Sequence, residues 1–151
     1  MTISLRFSKG KGLASELIEW YGHGPFSHVD SVEPDEHLTG ARLDDGVRTR
    51  DADYLQGEEV GCTYVHLPSD PDVSAKFYDF IHAQIGKPYD KTAILGFAAD
   101  RNWREDDSWF CSELAAAGLE ACGYLKWRLF TPANKIDPNG LITILSATAY
   151  V

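Results

Sequence analysis

The stretch that most limits what this chain can fold into is Asp107-Ser108-Trp109-Phe110-Cys111-Ser112-Glu113-Leu114, together with the small residues that follow it. Leu114, Ala115, Gly118, Leu119 and Cys122 recur at helical spacing and form one apolar face. Ser108 or Asp107 is placed to cap the start, and Gly123 supplies a C-terminal stop. A helix built this way puts Cys111 in its first turn, where backbone N–H groups lack intrahelical partners and the dipole favours an anion. A thiol in that position tends to have its pKa drawn below the free value of about 8.5. Such a thiol needs a base, and His28, at the start of a strand-like run, is the best candidate. The plainer alternative is a small core hydrophobe at Cys111 and a satisfied strand histidine at His28.

At 151 residues the chain is long enough for one domain, residues 1–151, with its own core. A net charge of −9 argues against nucleic acid or an anionic membrane as partner. No basic segment followed by an apolar one opens the sequence, and no apolar run approaches the roughly 18 residues of a membrane span. These features point to a cytoplasmic protein, although carriage on a larger particle such as a virion would leave no trace in composition. Three widely spaced cysteines do not suggest a disulfide framework, which also fits a reducing compartment. Cys62 and Cys122 read as core thiols. His and Cys never approach metal-ligand spacing, so neither a metal nor another cofactor is expected. Asp51, Asp53, Glu58 and Glu59, and the cluster Glu105-Asp106-Asp107, read as solvated loop charges. Phe7, Trp20, Trp103, Trp109 and Trp127 read as core or cleft wall, with Trp103 and Trp109 near the Cys111 site.

Periodicity predicts a strand over 2–8 and a short helix with Leu13, Leu17 and Trp20 or Tyr21 inward, ending at Gly22. A turn at Gly22-His23-Gly24-Pro25 leads into a strand over 26–32. Pro34-Asp35 then closes a hairpin onto strands at about 37–43 and 46–50, and Val60 to Leu67 forms another strand. Asp70-Pro71 opens a helix whose stripe is Val73, Phe77, Phe80, Ile81 and Ile85. Further expectations are a short helix from Thr92 to Ala99, a charged loop to Asp107, turns at Pro132 and Asp137-Pro138-Asn139-Gly140, and a last strand from Leu141 to Ala147. Strands come mostly first and helices later, which predicts an α+β fold.

Three segments carry a family likeness: Pro25-Phe-Ser-His28-Val, Ile85-Gly-Lys-Pro-Tyr89-Asp90 and Trp109-Phe-Cys111-Ser-Glu-Leu. Together they resemble the circularly permuted, YiiX-like branch of the NlpC-type papain-like cysteine peptidases and amidases, over roughly residues 5 to 147. The resemblance implies a papain-like α+β fold with an antiparallel sheet packed against the cysteine helix. It implies Cys111 as nucleophile, His28 as general base, and Tyr89 beside the oxyanion position. Relatives carry a polar residue that orients the imidazole, roughly twelve positions after the histidine; here position 40 is glycine. With Pro34-Asp35 as the turn, Thr39 would lie opposite Asp30 and Ala41 opposite His28. Asp30, His37, a backbone carbonyl or a water is then left to orient the ring, and a Cys–His dyad is favoured over a triad.

The resemblance further implies hydrolysis of an amide or acyl bond, in a cell-wall peptide or a lipid-type substrate, with peptidoglycan and a phage or prophage tail assembly as partners. The alternative from another class is a non-catalytic papain-like module that binds or builds within such an assembly. Gly40 speaks for that alternative, and the Cys111–His28 pair speaks against it.

Overall fold

The computed structural model describes residues 1–92, 107–125 and 136–147. The expected helix beyond Thr92, the charged loop with Trp103, Glu105 and Asp106, and the positions of Trp127 and Pro132 lie outside the described residues. The elements are β1 (Thr2–Gly10), α1 (Leu13–Tyr21), β2 (His28–Val32), β3 (Leu38–Arg42), β4 (Gly46–Arg50), β5 (Glu59–Pro68), α2 (Pro71–His82), α3 (Cys111–Ala121) and α4 (Pro138–Ser146). The fold is α+β: an antiparallel sheet in the order β4-β3-β2-β1-β5, with four helices among the described residues.

Alternation along β1 sets the two faces of this sheet. Ile3, Leu5 and Phe7 are fully buried and join Val29, Ala41, Val47 and Leu67 in the core beneath α2 and α3. The opposite face carries Arg6 and Ser8, paired across strands with Asp30 and His28 on β2 and with Tyr64 and Cys62 on β5. Residues directly opposite one another share a face, so His28 and Asp30 stand together on the polar side. Arg6 is buried there and pairs with Glu59, which corrects the expectation that Glu59 is a solvated loop charge. Cys62 is exposed rather than a core thiol, because alternation sends Thr63, Val65 and Leu67 to the other face; Cys122 is buried as expected.

The β2–β3 hairpin differs from expectation by one residue. Glu33 N–H donates to the His37 carbonyl at 2.8 Å, and Glu36 adopts the left-handed φ of 70°. The loop is therefore Pro34-Asp35-Glu36, three residues rather than two. Ser31 pairs with Thr39 and Val32 with Leu38, and the same register sets Gly40, not Thr39, against Asp30. A one-residue slip exchanges the faces of a strand, and the consequence for the site is large.

Helices account for the other differences. Leu141 to Ala147 is not a strand: Asp137 Oδ1 accepts from Gly140 N–H at 3.0 Å, Pro138 occupies the first turn, and α4 buries Leu141 and Leu145 four apart. A short apolar run does not by itself separate helix from strand. On α1, Leu17 and Trp20 are 37% and 70% exposed, so these two of the residues expected inward face outward, Tyr21 is half-buried, and Ile18 packs on the core. On α2 the buried residues are Ser74, Phe77 and Ile81; Val73 and Phe80 are partly buried, and Ile85 lies exposed beyond the helix end.

The placement of α3 decides where Cys111 stands. It packs on β2, β3 and α2. At Gly118 a Cβ would lie 2.9 Å from Phe77 Cε2, so only glycine lets the two helices approach this closely. The Gly86-Lys87-Pro88-Tyr89-Asp90 segment joins both halves. Gly86 N–H donates to the Val47 carbonyl and Val47 N–H to the Lys87 carbonyl, both at 2.9 Å. Trp109 N–H donates to the Pro88 carbonyl and Asp90 N–H to the Trp109 carbonyl, both at 3.0 Å. The residues just before Cys111 are thereby tied to the edge strand β4.

Candidate active site

Cys111 is the first residue of α3, as the sequence pattern implies, but neither Ser108 nor Asp107 is the N-cap. Phe110 holds that position with extended backbone, and its N–H donates to the Glu113 carboxylate at 3.3 Å. Glu113 thus supplies half of a capping box and leaves the first-turn N–H groups around the thiol directed along the helix start. Ser112 donates to the Ile136 carbonyl and fixes the turn from the far side. Cys111 itself is 2% exposed.

His28, the first residue of β2, meets this turn. Its Nε2 lies 2.9 Å from Asp30 Oδ1 and 3.0 Å from the Tyr54 hydroxyl oxygen, and the Tyr54 O–H donates to Asp30 Oδ2 at 2.7 Å. A carboxylate only accepts, so Nε2 carries a proton, and the Cys111 thiol lies near enough to the ring to act on its charge. Burial alone would lower the imidazole pKa, but the charge and hydrogen bond of Asp30, and then Cys111, outweigh it and push it up to about 10. The ring still leaves 16% of its side chain accessible.

This shift predicts a pH dependence. A histidine raised in the folded state stabilises fully below its ordinary value of about 6.5, and the contribution is lost as pH climbs towards about 10. Melting temperature should fall across that window in the wild type and fall less in His28→Asn. Parallel curves for the two proteins would remove the basis for a charged His28 in the native state.

Asp30 is the ring's orienting partner by contact, and its side chain is completely buried. Burial would raise its pKa, but the His28 charge and hydrogen bond, the Tyr54 hydrogen bond and Arg50 together hold it below the usual carboxylate range. The expected gap at position 40 therefore has a cause: a Cβ on Gly40 would fall 2.1 Å from Asp30 Oδ1. Space that a side chain on β3 would fill is taken by a carboxylate from β2. Of the candidates expected to orient the ring, Asp30 is the one that contacts it. His37 does not reach the site; it pairs with Asp35 at 3.1 Å and Asp51 at 3.4 Å on the hairpin surface.

Tyr89 stands beside the thiol, its ring 5.7 Å from that of Phe110. Burial, followed by Cys111 and Asp90, pushes its hydroxyl pKa well up, so it is a neutral donor at ordinary pH. Trp109, expected in the cleft wall, packs edge-on to Phe80, and its Nε1 donates to Gln84 at 3.1 Å. A cleft of about 400 Å³ opens onto His28 and Tyr89; α1 contributes Ile18 to its wall, and the β4–β5 loop contributes Leu55 and Glu58.

Tyr54 is the site residue that sequence reasoning missed. It lies in an acidic turn region, and no local pattern links it to a histidine 26 positions earlier. The only local hint is an aromatic residue between strands rich in arginine, and that hint is weak. The guanidinium groups of Arg42 and Arg50 both lie over its ring, 5.2 and 5.3 Å from the centroid. Burial and the Asp30 charge push its hydroxyl pKa far up, which keeps it a donor. Among the described residues no group of His, Cys, Asp and Glu is arranged to hold a metal ion, and no helix is long and apolar enough to cross a membrane. No family model matches the chain, and neither does any curated protein.

Proposed function

We propose that this chain is a thiol hydrolase of papain-like, circularly permuted NlpC-type architecture that cleaves an amide or acyl bond. The observation that carries the proposal is a helix-start thiol near His28, with His28 bonded to the buried Asp30 carboxylate beside an open cleft. His28, made more basic by Asp30, takes the proton of the Cys111 thiol. The Cys111 sulfur attacks the substrate carbonyl carbon. First-turn N–H groups, with the Tyr89 hydroxyl, hold the oxyanion. The imidazolium gives its proton to the departing nitrogen or oxygen, which leaves a thioester. Water then attacks that carbonyl as His28 takes its proton, the carbon–sulfur bond breaks, and acid and thiolate are released. The substrate classes in keeping with this chemistry are cell-wall peptide amides and acyl esters. A role inside a phage or prophage tail belongs to the same proposal.

One observation favours a second reading, a non-catalytic binding or structural module. Cys111 is almost wholly buried, and structural cysteines in such surroundings are inert. Alkylation by iodoacetamide as a function of pH separates the two, with Cys62→Ser and Cys122→Ser in the background because Cys62 is exposed. A hydrolase should alkylate at Cys111 with a midpoint below about 8.5, and His28→Ala should raise that midpoint. Slow alkylation with an ordinary midpoint, indifferent to His28, would instead make the chain a scaffold.

A further inference from the structure

We infer that Tyr54 is the positioning residue of this site and that the loop bearing it ties the orientation of His28 to the wall of the cleft. The inference rests on the thiol-hydrolase proposal above. Its starting point is an oxygen count. Asp30 is completely buried and has two oxygens; His28 Nε2 engages Oδ1 and leaves Oδ2 in need of a donor. An unpaired buried carboxylate oxygen costs more than its hydrogen bond would contribute at the surface. Tyr54 donates to Oδ2 at 2.7 Å, which fixes the carboxylate plane and keeps Oδ1 aimed at the ring. The same hydroxyl oxygen lies 3.0 Å from Nε2, so one group restrains both partners.

Tyr54 is in turn held by strands rather than by its own loop alone. Arg50 Nη1 donates to the Gly40 carbonyl and Nη2 to the Gly46 carbonyl, both at 3.0 Å, and Arg50 also pairs with Asp45. Arg42 pairs with Asp44 at 3.2 Å and Glu58 at 3.1 Å. The two guanidinium groups pack against the phenol ring and set its position from β3 and β4. The loop itself is a chain of short turns: Tyr54 N–H to Asp51 at 3.1 Å, Gln56 N–H to Asp53 at 2.8 Å and Glu58 N–H to Leu55 at 2.9 Å. Leu55 and Glu58, themselves part of these turns, line the cleft. A group pressing on that wall acts on Tyr54 through the backbone and through the Glu58–Arg42 pair. Asp30 thus orients the ring, and a residue on the cleft loop holds Asp30 in place.

The test uses the full chain with Cys62→Ser and Cys122→Ser, and reads the pH profile of Cys111 alkylation by iodoacetamide. Tyr54→Phe keeps the ring against the arginines and removes only the hydroxyl, so the melting temperature should move little. The alkylation midpoint should rise by about half a unit to one unit, as expected for a weakened charge-assisted hydrogen bond. Asp30→Asn should shift it further in the same direction, and Tyr54→Phe added to Asp30→Asn should change nothing more. A purely structural role would not produce that non-additivity. An unchanged profile in Tyr54→Phe, or full additivity with Asp30→Asn, overturns the inference. If His28→Ala moves the midpoint while Tyr54→Phe does not, the hydrolase proposal survives without it; if His28→Ala is also silent, both fall.

Discussion

Gly40→Ala is expected to lower stability by about 3–5 kcal/mol, the range for breaking a buried ionic contact, and to remove the dependence of Cys111 alkylation on His28. The new methyl carbon would lie 2.1 Å from Asp30 Oδ1 and 3.3 Å from the Val29 carbonyl oxygen. The carbonyl belongs to a paired strand and cannot withdraw, so the Asp30 carboxylate must rotate away. It would then give up Nε2 of His28 and the Tyr54 hydroxyl together while staying buried. Chemical denaturation and alkylation measure the two effects. A control fixes the cause: Asp30→Gly is itself destabilising, but Gly40→Ala placed on top of it should cost little, because the atom it strikes is gone. Equal cost in both backgrounds would mean that strain elsewhere in β3 is responsible.

Phe77→Ala should cost about 3–5 kcal/mol, the usual range for deleting a buried aromatic ring. Phe77 is fully buried, packs edge-on to Tyr78 at 5.2 Å, and lies where a Cβ on Gly118 would touch it. With no side chain at position 118, nothing on α3 can move in to fill the space. Urea unfolding should show a lower midpoint with an unchanged slope. Because α2 holds α3 on the sheet, the thiol at the start of α3 should also lose its alignment with His28. Trp20→Ala is the comparison: its ring is 70% exposed, and the change should stay within about 0.5 kcal/mol.

Several features of this protein were legible in the chain before any coordinates. Alternation at Ile3, Leu5 and Phe7 marked a strand and its buried face. Asp70-Pro71 marked the start of α2, and Gly123, with a φ of 76°, marked the end of α3. Each of these is a local rule in which spacing or backbone freedom acts within a few residues. The failures were equally local in origin. Leu141 to Ala147 is rich in β-branched residues and reads as a strand, yet the Asp137 cap and the burial of Leu141 and Leu145 make it a helix. Leu17 and Trp20 are apolar at helical spacing, but nothing in α1 itself says which side meets the sheet.

The site divides along the same line. Cys111 at a helix start and His28 at a strand start follow from residue type and neighbours, because a helix N-terminus and a strand alternation are written in adjacent positions. Asp30 was one of several candidates, and a single residue in the hairpin loop decided among them. Glu36 in a left-handed conformation lengthens the turn, and Gly40 rather than Thr39 falls opposite Asp30. Tyr54 was invisible, since its place depends on a loop folding back over three strands and on two arginines that hold its ring. Short-range order therefore belongs to the sequence, where the interacting groups are neighbours along the chain. The assignment of partners across strands and loops belongs to the tertiary structure, because only packing brings residues 28, 30 and 54 within hydrogen-bonding distance and sets residue 111 near them.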